Sequence, residues 1–180
     1  LDAAIAADEV EPNAMLLATI GADGRPRSRV VLLKETSQNG LVFFTHYTSP
    51  KGEELAANPV ASATFWWPGL MRQVRAVGAV TKLTRQENET YFAKRPRASQ
   101  LGAWASQQST PIVSHDDLLE AAAQASERFE GKDVPCPPEW GGYRIDVDEF
   151  EFWQGQSGRL HDRVLARRNV DGWSAIHIQP

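Results

Sequence analysis

The chain has 180 residues, 42% hydrophobic and 23% charged, proportions that allow one globular domain with a real core. A formal net charge of −4 excludes an overall basic footprint for nucleic acid or for an anionic membrane, and no apolar run approaches the roughly 20 residues of a membrane span. The one cysteine, Cys136, excludes an intrachain disulfide and points to a reducing, cytoplasmic setting; between the prolines of "VPCPPEW" it reads as structural. Leu1 stands where an initiator Met is expected, so a further N-terminal piece is expected ahead of it.

The first half reads as a meander of strands. "AMLLATI" (14–20) runs into the turn "GADGRP", "RSRVVLLKE" (27–35) follows, and "LVFFTHY" (41–47) comes after "SQNG", where Asn39-Gly40 is a hairpin signal. "SPKGEELAANP" predicts a short helix with Ser49 as N-cap, Pro50 at the first helical position and a stop at Asn58-Pro59. "VASATFWWP" and "MRQVRAVGAVTKLT" add two strands. Five β-rich segments with short connections before residue 85 argue for a barrel or a strongly coiled sheet, not a doubly wound fold.

Thr84 and Glu87 form a capping box that opens a helix over "RQENETYFAKR", ended by Pro96. A second helix is expected over "ASQLGAWAS". A third, "HDDLLEAAAQASERFE", starts after Ser114, places Leu118, Leu119, Ala122 and Phe129 on or near one stripe, and stops at Gly131. Strands follow at "GYRIDVD", "EFEFWQG", "RLHDRVLARR" and "GWSAIHIQP".

Glycine-rich nucleotide loops and a nucleophile elbow are absent, and His46, His115, His161 and His177 lack metal-ligand spacing, which weakens Rossmann, P-loop, hydrolase and metalloenzyme readings. Phosphate chemistry built from separate pieces stands out instead. On a regular pleat Arg29 and Lys34 face opposite sides and could serve two anions. The helix after Ser49 offers free amides, the hydroxyls of Thr48 and Ser49 and the ammonium of Lys51, as either a phosphate cradle or an ordinary helix start. Tyr91 and Arg95 share a helix face and Ser99 follows; together they supply the donors of a phosphate monoester site, or else form an exposed helix tail. Gln73, Gln107, Gln108 and Ser109 could meet the edge of a heteroaromatic ring, although each Gln alone is unremarkable and reads first as an ordinary polar residue. Lastly, "EFWQGQSGRLHDR" crowds Trp153, Arg159, His161 and Arg163 around a glycine-rich turn. If 159–165 is extended, Arg159, His161 and Arg163 point the same way, toward solvent or toward a ligand.

In order and spacing, "RVVLLK", "FFTHYTSPKGEELAANP", "RQVR", "YFAKRPRASQLGAWASQQS", "PPEWGGYR" and "EFWQGQSGRLHDR" resemble the pyridoxamine 5'-phosphate oxidases, flavoproteins of the FMN-binding split-barrel fold, across nearly the whole chain. The resemblance implies a mainly β split barrel with inserted helices. It also implies a single domain over 1–180, whose strands at 142–180 complete the active site, and a homodimer with FMN at the interface. Arg29, Val30, Leu32 and Lys34 would lie along the FMN, with Phe44 beside it and Thr45, Ser49 and Lys51 at its phosphate. Gln73, Gln108 and Ser109, some from the second subunit, and Trp153 and Arg163 would complete the flavin pocket.

For the substrate, pyridoxine or pyridoxamine 5'-phosphate, the resemblance implies a phosphate grip of Lys34, Tyr91, Arg95 and Ser99. Arg159 and His161 would lie against the ring as the catalytic pair, and no metal is implied. The implied reaction is hydride transfer from the substrate's C4' carbon to the flavin, then reoxidation by dioxygen, giving hydrogen peroxide and pyridoxal 5'-phosphate without an obligatory general base from the protein.

Two positions depart from the family pattern. Pro50 stands where an arginine is common, which removes one guanidinium from the flavin phosphate site, and Phe44 stands where a tyrosine is common. Alternatives are a related flavin oxidase acting on another substrate, such as a phenazine precursor, and a non-catalytic protein that binds flavin or pyridoxal phosphate.

Overall fold

A computed structural model describes residues 1–37 and 40–180; the turn signal at Asn39 lies outside the described residues. After a short helix α1 (Asp2–Ala6), which the sequence pattern did not suggest, come strands β1 (Ala14–Ile20), β2 (Pro26–Leu32), β3 (Glu35–Ser37) and β4 (Gly40–His46). Helix α2 (Pro50–Ala57) leads to β5 (Val60–Trp67) and β6 (Arg72–Lys82). Three helices follow, α3 (Arg85–Ala93), α4 (Arg97–Ala105) and α5 (His115–Arg128), then β7 (Trp140–Gln154), β8 (Asp162–Asn169) and β9 (Gly172–His177).

The strands form one antiparallel sheet in the order β2-β1-β5-β6-β7-β4-β3, with β8 and β9 added beyond the path at β7. The 15-residue β7 is its spine. One edge pairs with β6 along its length, while the other pairs first with β4 and then with β8. The sequence suggested two strands here. The reason is a register shift opposite Val77 and Gly78, where Asp148 bulges out of the ladder and shifts the inside–outside alternation.

The sheet curls around Met15, Leu17, Phe43, Phe65, Tyr143 and Ile145, all at most 4% exposed. A second core under the helices gathers Phe92, Ala103, Phe129, Val134, Cys136 and Trp140. Cys136 is buried there and burial pushes its thiol pKa up, as suits a structural cysteine. In α5 the inner stripe runs through Leu118, Ala122, Ala125 and Phe129, and Leu119 lies off it, 56% exposed.

Two local expectations fail for reasons that matter to the site. The run 27–35 is not one strand: β2 ends at Leu32, and Lys34 N–H then donates to Val42 O (2.8 Å) as the chain passes from pairing with β1 to pairing with β4. The chain from Arg159 is not extended either. Ser157–Arg159 is a tight 3-10 turn in which Gly158 (φ 65°) and Arg159 (φ 62°) are both left-handed, and β8 begins only at Asp162. A left-handed arginine costs on the order of 1 kcal/mol, a conformation seen where a turn must aim a side chain.

Candidate active site

Between β2, β4, the start of α2 and the α3–α4 corner lies an open cavity of about 890 Å³. A smaller compartment of about 380 Å³ adjoins it, and Lys34, Thr45, Tyr91, Arg95, Ser99 and Gln108 line both. Arg29, Lys34, Lys51, Lys94 and Arg95 place five cations on the larger cavity, and among the described residues no carboxylate lines it. In a chain of net charge −4 this is a local, built field.

Lys51 enters from the first turn of α2, where Pro50 is tolerated because its missing N–H has no helical partner to serve. The lysine is only 7% exposed, yet its ammonium donates to neutral oxygens alone: Gln108 Oε1 (3.0 Å), Thr45 Oγ1 (3.2 Å) and Ser49 Oγ (3.3 Å). Burial lowers its pKa, Arg29 adds to the effect, and Glu54 opposes it. A desolvated ammonium with neutral acceptors is an arrangement that an anion completes.

Ser49 itself is fully buried behind this wall, and its hydroxyl donates to His46 O (2.7 Å) rather than capping the helix. It steadies Lys51 from below and does not line the cavity.

Arg29 lies along the same cavity and is held from behind. Its guanidinium donates to Thr19 Oγ1 and to Glu54 Oε2 (2.7 Å), with Glu54 buried in α2. Burial opposes ionisation of Glu54, but the hydrogen bonds from Thr19 and Arg29 and the charges of Arg29 and Arg27 outweigh it and hold the carboxyl below the usual range. Nothing in the sequence pattern marked Glu54, an acidic residue on a short helix. Because the strand breaks at Leu33, Lys34 opens onto the same cavity as Arg29, not onto an opposite face.

On the other wall, Phe44 stacks on Tyr91 (ring centroids 3.8 Å), and both rings lie nearly parallel to Trp140 (5.2 Å and 6.3 Å). The Arg95 guanidinium sits 4.6 Å above Trp140. Its Nη1 is buried without a hydrogen-bond partner, an orphaned donor beside a cavity that lacks a carboxylate. Burial lowers the pKa of Arg95 and raises that of Tyr91, whose hydroxyl therefore stays protonated at neutral pH. Ser99, in the first turn of α4, and Gln108 and Ser109, in the loop after it, complete this side.

Gln73, Trp153, Arg159, His161 and Arg163 do not line this cavity. Gln73 pairs with Trp153 and Trp153 with Arg163, whereas Thr45 pairs with Gly141, twelve residues back along β7. That is about 40 Å of strand at ~3.3 Å per residue. Within the second cluster Trp153 packs on His161 (4.5 Å between rings), and the Gln156 N–H donates to His161 Nδ1 (3.2 Å). Arg163 is anchored by buried Glu151, which Arg75 also contacts.

A curled antiparallel split barrel carrying a cation-lined cavity without a lining carboxylate among the described residues places the chain with the split-barrel proteins and gives it a pocket suited to an anion. The family described as "Pyridoxamine 5'-phosphate oxidase" matches residues 1–129, and the one described as "Pyridoxine 5'-phosphate oxidase C-terminal dimerisation region" matches residues 140–180. The chain belongs to the pyridoxamine 5'-phosphate oxidase family. It is 49% identical over 177 residues to a pyridoxine/pyridoxamine 5'-phosphate oxidase of Rubrobacter xylanophilus, covering 98% of this chain and 82% of the relative. A relative of the same name from Mycolicibacterium paratuberculosis is 54% identical over 181 residues, covering 100% and 80%. Among solved structures, PhzG from Burkholderia lata, crystallised with tetrahydrophenazine-1-carboxylic acid, superposes with a TM-score of 0.94 at 34% identity, over 99% of this chain and 88% of that one.

Proposed function

We propose that the chain is an FMN-dependent oxidase of pyridoxine 5'-phosphate and pyridoxamine 5'-phosphate, forming pyridoxal 5'-phosphate with dioxygen as acceptor and hydrogen peroxide as co-product. The observation that carries the reading is the cavity itself: five cations, no lining carboxylate, a buried ammonium with only neutral partners and an orphaned guanidinium donor. Two phosphate monoesters, one on the cofactor and one on the substrate, fit that set.

Bound there, FMN supplies the hydride acceptor and the route of electrons to dioxygen. Thr45 and Lys51 hold its phosphate, with Ser49 behind them, and Arg29, Val30, Leu32 and Phe44 line the flavin side. The protonated Tyr91 hydroxyl, the Arg95 fork, Lys34 and the Ser99 hydroxyl grip the substrate phosphate, which fixes the ring's distance from the acceptor. Arg159 and His161 act on the ring. With Nδ1 accepting from Gln156 N–H, a neutral His161 carries its proton on Nε2 and presents a donor there.

The second cluster reaches the cavity through a second copy of the chain. Supporting this are the match to the dimerisation region at residues 140–180 and the roughly 40 Å of strand that part the clusters within one copy. Gln73, Trp153, Arg159, His161 and Arg163 of one subunit would then face Lys51 and Arg95 of the other. Residues 1–180 act as one domain, whose C-terminal strands serve the neighbouring site. The buried single thiol suits a cytoplasmic setting, and no helix among the described residues is long and apolar enough to cross a membrane.

A phenazine precursor, the kind of ligand crystallised in the Burkholderia lata relative, offers one carboxylate and no phosphate, fewer acceptor oxygens and less charge than the Lys34, Tyr91, Arg95 and Ser99 set can serve. The deciding experiment is steady-state turnover, followed by peroxide release. Pyridoxine and pyridoxamine 5'-phosphates are expected to turn over far faster than their dephosphorylated forms or a tetrahydrophenazine carboxylate. Preference for the phenazine acid would reject the assignment.

A further inference from the structure

Lys94 lines the larger cavity, as Pro50 and Lys51 do, without a partner of its own among the described residues. It does not line the smaller compartment, where Tyr91, Arg95 and Ser99 meet. Its backbone is fixed. Lys94 closes α3 (φ −83°, ψ −10°), its N–H donates to Tyr91 O (3.1 Å), and Arg95 N–H donates to Phe92 O just before Pro96 ends the turn. The side chain is exposed and forms no ion pair among the described residues.

The charge balance gives this lysine a role. Two phosphate monoesters bring about −3 to −4 at neutral pH. Of the five lining cations, Arg29 is already matched by Glu54 at 2.7 Å, so Lys34, Lys51 and Arg95 are this chain's other cavity cations and Lys94 adds a fourth charge to match a dianion. Pro50, in the first turn of α2, also lines this cavity and contributes no charge.

We propose that Lys94 is a phosphate-binding residue of the larger compartment, adding from the end of α3 a free cation to those of Lys34, Lys51 and Arg95. The shared ligand chemistry is a phosphate monoester dianion, carried by the cofactor or by the substrate. A solvated lysine that merely favours the helix C-terminus is the competing account, and it predicts no phosphate dependence. The proposal rests on the oxidase reading above.

The test measures FMN binding by quenching of flavin fluorescence and pyridoxal 5'-phosphate binding by absorbance, on wild type, Lys94→Met and Lys94→Arg, with riboflavin as the phosphate-free control. Lys94→Met should weaken one of the two phosphorylated ligands by about 3- to 10-fold, as befits an exposed charge-assisted contact. Lys94→Arg should restore most of the loss, added salt should shrink the difference, and riboflavin binding should not change. Weakened FMN assigns the contact to the cofactor, and weakened pyridoxal 5'-phosphate assigns it to the substrate. Both ligands binding Lys94→Met within twofold of wild type would overturn the proposal, as would an equal loss of riboflavin. Wild-type protein that took up neither phosphorylated ligand would overturn the oxidase reading, and this role with it.

Discussion

Replacing Lys51 by Met separates what the residue does for the ligand from what it costs the fold. On the proposed role of Lys51 at the FMN phosphate, the change should remove a charge-assisted hydrogen bond worth about 1.5–3 kcal/mol. At 1.4 kcal/mol per tenfold, the FMN dissociation constant should rise about 10- to 150-fold. Without ligand the sign reverses. The ammonium is 7% exposed with neutral acceptors only, so an apolar chain of similar length relieves its desolvation, and Gln108 Oε1 still accepts from Thr45 Oγ1 (2.7 Å). A gain of about 1 kcal/mol should raise the apo melting midpoint by roughly 2–4 °C in a chain of this size. Because burial and Arg29 lower the Lys51 pKa, the unfolded chain holds that proton more tightly. Wild-type apo stability should therefore gain as pH rises from the folded pKa toward the ordinary lysine value, and the variant should lack that gain. Calorimetry of both apo proteins and a fluorescence titration with FMN read the two effects. A variant that melts lower and binds FMN normally would refute the reasoning, since Lys51 would then serve the fold and not an anion.

Glu54→Gln should destabilise the protein by about 1–3 kcal/mol at neutral pH, because Arg29 loses its buried counter-charge. Glu54 has a lowered folded pKa, so the gap from wild type should close as pH falls through that value in urea titrations across acid pH. Gly78→Ala would push a Cβ against the Asp146 carbonyl beside the bulge of β7, a backbone group that cannot swing away. Urea unfolding should show a loss of about 1–3 kcal/mol. His46 has its pKa lowered by burial and by the charges of Lys51 and Arg95, so apo stability should fall as pH drops below the ordinary histidine range. His46→Gln should flatten that part of the pH profile, and bound phosphate should weaken it.

Much of the fold was legible because its signals are local. The capping boxes Thr84–Glu87 and Ser114–Asp117 both form, and Pro50 and Pro96 mark helix boundaries. The failures come from interactions a linear pattern cannot carry. The alternation that split β7 in two is the trace of a bulge made against β6, and the break at Lys34 is imposed by β4. Tyr91, Arg95 and Ser99 were expected to share a site, and the α3–α4 corner does bring them to one cavity. Glu54 and Trp140 gave no signal, because one acts by holding Arg29 from behind and the other as a surface beneath Phe44 and Arg95. The turn at Gly158-Arg159 was visible as glycine-rich, but its left-handed arginine was not.

The oxidase assignment meets its sharpest test in a titration of the FMN-loaded protein with pyridoxine 5'-phosphate in the absence of oxygen, followed by the visible absorbance of the oxidised flavin. The flavin should bleach and then recover when air is readmitted, with pyridoxal 5'-phosphate formed in step. A flavin left unbleached by both pyridoxine 5'-phosphate and pyridoxamine 5'-phosphate would contradict the assignment.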